Sequence, residues 1–409
     1  ESIAKVNQAD ILLDAVLQWP LCKLHKGAIT RAMVRPGRQS RTQPGKITAM
    51  ERGQMTTQTT PGIVAPNVRE LSQLAAELVE WLGGRLDHAE DIRVTNLSYP
   101  LGAGMSHETI QIDAHWREAG VEQSRGMVVR IKPLGHPVYP DDLFDQQYRV
   151  MELMHKVGKV KVARPLWLEP DDALLGAPFF VMEKVAGRVT VSYPPYSKSG
   201  WLVETAPDDR RTVWHDAVSQ LAQIAKVPLD EAGFLTLPGG PVGFDQESDR
   251  WRRFINWVDP KGERKLLRDT FERTLALAPA NRPEGIVWGD ARIGNMMIGP
   301  DFKVAAVMDW EQPGLGGALH DLGWWLHHEH NQTIGQGIPP LAGMGSRDET
   351  IALWSEVSGL SAQGIDWYEA FACLKMEVLA VRMMALREMP AGVKLNEPGA
   401  RTAEMLDRL

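Results

Sequence analysis

The sequence predicts an α+β fold, with a small, mainly antiparallel β-rich unit first and a larger helical unit after it. Three observations predict this. Period-two apolar alternation is concentrated before about residue 185, helical periodicity dominates after it, and 409 residues are too many for one hydrophobic core.

The elements can be justified in order. From Asn67 a helix is signalled by Leu71, Leu74, Leu78 and Trp81 at steps of three, four and three, and the Gly-Gly pair at 83–84 stops it. Three strand-like pieces follow, "IRVTNLSY" (92–99), "ETIQIDAHW" (108–116) and "GMVVRIKP" (126–133). "DLFDQQYRVMELMHKV" (142–157) has a helical pattern, and "VARPLWLE" and "APFFVMEKV" read as two further strands. A sheet of such strands needs one helix against its apolar face. Beyond Gly187, "DDRRTVWHDAVSQLAQIAKV" opens with acidic residues suited to a helix N-terminus, and Val213, Ala217, Leu221 and Ile224 form its apolar face. Another helix is expected at "DRWRRFINWV", then two short strands at 286–298 and 303–309, then helices to the end. The chain thus divides into an extension (1–66), a β-rich lobe with its leading helix (67–184) and a helical lobe (185–409).

The extension differs from the rest. Residues 1–54 hold nine Lys/Arg against four Asp/Glu, which leaves a net −12 for the remainder of a chain whose total is −7. "RPGRQSRTQPGK" reads as disordered, and residues 9–19 as one short amphipathic helix. An acidic total argues against nucleic acid as a partner, because phosphate binding wants a basic face. No apolar run is long enough for a transmembrane helix, so no membrane partner is expected. Two Cys, at 22 and 373, make no disulfide framework, and a reducing cytoplasm is the simple expectation.

The chemistry is concentrated in "VWGDARIGNMMIGPDFKVAAVMDWE". Asp290, Asn295 and Asp309 stand at the ends of strand-like pieces and supply oxygen ligands of the kind a hard cation such as Mg²⁺ takes. The spacing Asp290-x4-Asn295 is that of a kinase catalytic loop, in which the Asp orients a hydroxyl and the Asn holds metal. A turn with a capping Asn and a surface carboxylate would explain either piece alone. Upstream, "LGAGMSHET" lies between two strands. Gly102 and Gly104 would let backbone approach phosphates and Ser106 adds a hydroxyl, although a plain hairpin turn has the same composition. Val128, Arg130 and Lys132 share one face of their strand. "HDLGWWLHHEH" (320–330) is rich in His but lacks H-x3-H spacing, so a polar helix end beside a cleft is the better reading than a transition-metal site. Trp324 and Trp325 are expected in the core, one of them open to that cleft.

Taken together, "VWGDARIGN", "VMDWE" and "HDLGWW" resemble the core motifs of the aminoglycoside phosphotransferase and choline kinase-like family. The likeness is greatest to the branch of kinase-like domains linked to acyl-CoA dehydrogenases, and it spans about residues 90 to 390. It implies a bilobal protein-kinase-like fold and an ATP- and Mg²⁺-dependent transfer of phosphate to a small-molecule hydroxyl, by resemblance that of an acyl thioester. Under it Asp290 is the catalytic base, and Asn295 and Asp309 are metal ligands. Glu311 is a supporting or substrate-side carboxylate, and Asp321 buttresses the catalytic loop. Gly102, Gly104, Ser106 and Arg130 face the phosphates, with Lys132 as the substitute cation. Met182 borders the adenine, and the backbone of Glu183 and Val185 meets its edge. Three departures stand out. Trp288 occupies the usual His position, His107 the usual Asn position, and Gln147, or Gln146, the place of the Glu that pairs with the cation. An Arg130–Gln147 hydrogen bond is the expected replacement, weaker than an ion pair. An antibiotic-modifying kinase and a nucleotide-binding protein without useful turnover are the rival readings. The direct step from Glu311 towards a helix, with no activation segment, excludes a protein kinase.

Overall fold

The computed structural model describes residues 69–100, 107–133, 135, 137–192, 194–236, 240–386 and 396–409. The amphipathic stretch at 9–19 and the Gly102, Gly104 and Ser106 loop lie outside these residues.

Helix α1 (Leu71–Gly83) leads into strands β1 (Ala89–Ser98), β2 (Glu108–Glu118) and β3 (Val121–Ile131). Helix α2 (Phe144–Val157) and strands β4 (Pro165–Glu169) and β5 (Phe179–Glu183) complete the β-rich lobe. The sheet is antiparallel, in the order β1-β2-β3-β5-β4. Alternation decides which face is dry. Met127, Val129 and Ile131 point to a core shared with Leu74, Leu78 and Leu82 of α1, as do Ile110, Ile112, Phe179 and Val181. The opposite face carries Val128, Arg130, Phe180 and Met182, of which Val128 pairs with Met182 and Arg130 with Phe180 across the strands. Helix α2 packs on this second face through Phe144 and Tyr148, which meet Phe180 at ring distances of 5.3 and 5.8 Å.

The helical lobe contains α3 (Trp201–Glu204), α4 (Pro207–Ile224), α5 (Phe244–Val258), α6 (Lys265–Ala276), α7 (Leu319–Gln332), α8 (Arg347–Ser358), α9 (Ile365–Ala385) and α10 (Ala400–Leu406). A two-stranded ribbon, β6 (Met296–Ile298) with β7 (Val304–Val307), precedes α7. The helix expected from Asn67 begins at Leu71, and the strand expected from 126 begins at Val121, because pairing with β2 extends to the hairpin end. The chain enters the helical lobe past Gly187. A Cβ there would lie 2.6 Å from Met297 Cγ and 2.7 Å from the Ile298 carbonyl, so glycine lets Arg188 exchange backbone bonds of 2.8 Å with Ile298.

Candidate active site

The catalytic loop runs from β-bridge residue Val287 to the one-turn 3₁₀ helix at Ile293–Asn295. Asp290 is enclosed by donors. Asn295 Nδ2 donates to Asp290 Oδ2 at 2.6 Å and to its carbonyl at 3.0 Å. Arg292 Nε donates to Oδ2 at 2.9 Å, and the Trp324 indole donates to Oδ1 at 3.0 Å. Burial pushes the Asp290 carboxyl up, but the Arg292 guanidinium and the bonds around it prevail and hold it below its ordinary value. It is therefore a carboxylate at neutral pH.

Asp309 closes β7 at φ 61°, the left-handed region. The two loops are tied by the Met308 amide, which donates to the Asn295 carbonyl at 2.8 Å. This bond brings the residue before Asp309 against Asn295, beyond the paired ends of β6 and β7. With its side-chain nitrogen spent on Asp290, Asn295 has only its side-chain oxygen, an acceptor, to offer to other groups.

Arg130 reaches this pair from β3. Its Nη2 donates to Asp309 Oδ1 at 2.8 Å and lies 3.7 Å from Glu311 Oε2. Lys132 pairs with Asp142, whereas Arg130 on the same strand pairs with Asp309. Glu311 is buried and faces Arg130 and His107, with His107 Nδ1 3.4 Å away. Met182 and Val185 are half-buried at the sheet's end, and the Glu183 amide donates to the Arg164 carbonyl at 2.9 Å.

Two of the departures resolve into substitutions. The expected Arg130–Gln147 bond is corrected. Gln147 Nε2 instead meets His107 Nε2 at 3.0 Å, and His107 Nδ1 lies 3.3 Å from Arg130 Nη2. His107 is stacked on Phe144 at 5.6 Å and fills the space a direct contact would need. Burial, with Arg130 beside it, keeps the imidazole well below its ordinary pKa, so it is neutral. Trp288 is fully buried, and its indole Nε1 donates to the Met308 carbonyl at 2.8 Å. An aromatic donor therefore anchors the residue before Asp309.

Asp321, in the first turn of α7, accepts from the backbone amides of Trp288 at 2.6 Å and Gly289 at 2.9 Å. Burial pushes its carboxyl up to about 7 despite those bonds. The His-rich stretch of α7 is dispersed. His320 packs among Tyr368, Phe371 and Trp367, His328 faces Asp290 and Arg292, and His330 is exposed.

Sequence reasoning missed four participants. Arg292 Nη1 is held by Ser192 Oγ at 2.9 Å, one hundred residues away. Of the two tryptophans expected in the core with one of them open to the cleft, Trp324 is the one that donates to Asp290, a bond the sequence did not suggest. Tyr139, between β3 and α2, has a phenol that burial and the carboxylates Glu311, Asp290 and Asp309 push well above its ordinary pKa. No local pattern marks any of these; only the basic residue two positions after Asp290 could have suggested Arg292.

The chain matches the model of the phosphotransferase enzyme family over residues 101–360. A protein of Arabidopsis thaliana named as a probable acyl-CoA dehydrogenase is 23% identical over 331 residues, covering 75% of this chain and 38% of that protein. Acyl-CoA dehydrogenase family member 11 of Gallus gallus is 29% identical over 202 residues, 48% of this chain and 24% of its own length. The chain therefore spans well under half the length of these curated relatives. A solved structure from Ralstonia eutropha, named as a candidate aminoglycoside phosphotransferase, is alike with TM-score 0.58 and 21% identity over 81% of this chain and 95% of that one. That likeness is one of fold, a bilobal kinase-like α+β architecture. No helix among the described residues is long and apolar enough to cross a membrane. With the family's match running from before β2 through α8, and so across the whole Asp290–Asn295–Asp309 centre, this chain belongs to the phosphotransferase enzyme family.

Proposed function

We propose that the protein transfers the γ-phosphoryl group of ATP to a hydroxyl of a small molecule. The observation that carries this is the half-buried Asp290 carboxylate, held by Arg292, Asn295 and Trp324, together with the Arg130–Asp309 ion pair. The donor set fits Mg²⁺: a carboxylate and an amide carbonyl are oxygen ligands that this ion accepts from proteins, with waters and substrate phosphates completing its shell. Bound there by Asn295 and Asp309, it would neutralise phosphate charge. Asp290 orients the acceptor hydroxyl and takes its proton as the bond to phosphorus forms. Arg130 exchanges Asp309 for phosphate oxygens, and Arg292 keeps Asp290 ionised. Met182 walls the adenine, with the Glu183 and Val185 backbone at its edge.

The departures favour turnover over a silent nucleotide binder. Gln147 makes a replacement hydrogen bond to His107 and Trp288 one to the Met308 carbonyl, while Arg130 Nε is buried without a partner among the described residues. We would test hydroxylated acyl thioesters first as acceptors, since the curated relatives are named as acyl-CoA dehydrogenases, and an aminoglycoside second. A reducing cytoplasm suits Cys373, which is buried and unpaired.

The test is Mg²⁺-dependent stabilisation by ATP in a thermal-shift assay, for the native protein and for Asp309→Ala, followed by a panel of hydroxylated metabolites read by mass for phosphate gain. Absence of any ATP response in the native protein refutes the proposal. Binding without transfer to any acceptor would favour the nucleotide-binding alternative.

A further inference from the structure

Behind the metal-binding strand end lies a buried group of charges that the reaction as described does not use. Arg250 of α5 is only 6% exposed and Glu247, one turn before it, 2%. Glu247 accepts from Lys375 Nζ of α9 at 2.5 Å and from the Trp251 indole at 3.0 Å, and it lies 3.6 Å from Arg250. Burial works against its charge, but Lys375 and Arg250 keep it ionised, while His320 beside Lys375 is neutral. The group therefore carries one positive charge in excess. That charge is directed at backbone oxygens: Arg250 Nη1 donates to the Gln312 carbonyl at 3.1 Å and Nη2 to the Pro313 carbonyl at 2.7 Å.

These two carbonyls follow directly on Asp309, Trp310 and Glu311. The segment "QPGLGG" (312–317) is threaded between α5 and the catalytic strand. Gly314 exchanges bonds of 2.8 and 3.1 Å with Val287 on one side, and a Cβ on it would come within 2.8 Å of Arg250 on the other. Gln246, also of α5, accepts from the Leu315 amide at 2.5 Å. The Gln312 carbonyl that Arg250 grips is also the atom a Cβ on Gly289 would meet at 2.5 Å. Catalytic loop, metal strand end and α5 thus converge on one carbonyl, and Arg250 holds it.

We propose that Arg250 is a positioning residue for the metal site. By fixing the Gln312 and Pro313 carbonyls it sets where Asp309 and Glu311 stand relative to Asp290. This rests on the phosphoryl-transfer reading above. A buried ion group adds little net stability over apolar residues of the same size, so a role in placement rather than stability is the physical expectation. The role is separable from folding, because Arg250→Met leaves the Glu247–Lys375 pair neutral while it removes the grip on the two carbonyls together with the 3.6 Å contact to Glu247. Lys375→Met leaves Glu247 paired with Arg250 and the grip intact, and so serves as the control for a buried charge lost.

The experiment titrates Mg²⁺ against the ATP-dependent shift in unfolding temperature, with urea unfolding measured in parallel, for the native protein, Arg250→Met, Arg250→Lys and Lys375→Met. Arg250→Met is expected to need on the order of 10-fold more Mg²⁺ for half-maximal response, as loss of an outer supporting partner does at metal sites. Arg250→Lys, with a single donor group, should fall between it and the native protein, and Lys375→Met should keep the native Mg²⁺ dependence whatever its stability. Equal Mg²⁺ dependence in all four proteins overturns the proposal, as does a shift in Lys375→Met as large as that in Arg250→Met. If Arg250→Met does not fold, an unchanged Mg²⁺ requirement in Arg250→Lys is the refuting result. A native protein without any Mg²⁺–ATP response would instead overturn the phosphoryl-transfer reading.

Discussion

Trp288→Phe isolates one hydrogen bond at the metal strand end. The indole Nε1 donates to the Met308 carbonyl at 2.8 Å, and the ring lies 5.8 Å from that of Trp310, both side chains fully buried. Phenylalanine keeps the aromatic packing and deletes the donor. A buried carbonyl left without its partner costs about 1–3 kcal/mol. The lost ring volume, roughly 40 Å³ at ~24 cal/mol per Å³, adds about 1 kcal/mol. Urea unfolding should therefore show a loss of about 2–4 kcal/mol. The effect reaches further than stability. Met308 precedes Asp309, whose φ of 61° is held by its surroundings, so a freed Met308 carbonyl lets the Asp309 carboxylate, the proposed metal ligand, wander. The Mg²⁺ needed for half-maximal ATP stabilisation should rise with it. Trp288→His, which restores a ring N–H in a smaller side chain, should recover much of the Mg²⁺ response and less of the stability. Trp288→Phe within about 0.5 kcal/mol of the native protein, a change typical of a featureless surface site, and with unaltered Mg²⁺ dependence, would refute the reasoning.

Further outcomes follow from the same geometry. Asp290→Asn should lower kcat by about 10²–10⁴-fold while Mg²⁺–ATP stabilisation persists, and a lost ATP response would show that the residue serves binding instead. Gln147→Glu places a carboxylate against the neutral His107 and should raise the pKa of that imidazole, read by NMR titration; an unmoved His107 would contradict the contact. The Asp321 carboxyl is pushed up from 3.8 to about 7 in the folded protein, so the unfolded chain releases its proton first, and the contribution of this group to stability falls as pH rises between those values. Asp321→Asn should flatten that part of the stability–pH curve. Glu329, also raised to about 7 by burial, will leave a residual slope, but a slope identical to the native one would sink the assignment. Finally, limited proteolysis that removes residues 1–66 should leave a folded, ATP-responsive core, and lost folding on trimming would overturn the proposed domain division.

What could be read from the sequence, and what could not, divides along the range of the interactions. Alternation in "MVVRI" separated the dry face, Met127 and Val129, from the cleft face with Arg130, because a strand's two-residue period is a property of the local backbone. The Asp290-x4-Asn295 spacing announced a loop because five residues can close only a short turn. Apolar periodicity located α2 and α4 within a few residues for the same reason. The partners of those residues were another matter. The Ser192–Arg292 bond, the Trp324 indole on Asp290, the His107 that intervenes between Arg130 and Gln147, and the Arg250 grip on the Gln312 carbonyl join positions 23 to 100 residues apart. Such pairings are chosen when whole faces pack and buried polar atoms must each find a donor or acceptor. Local spacing therefore marks the candidate residues for the chemistry, while three-dimensional packing decides which neighbours hold them ionised, neutral and in place. That is why Trp288 reads as an anomaly along the chain and as an anchor in the folded protein.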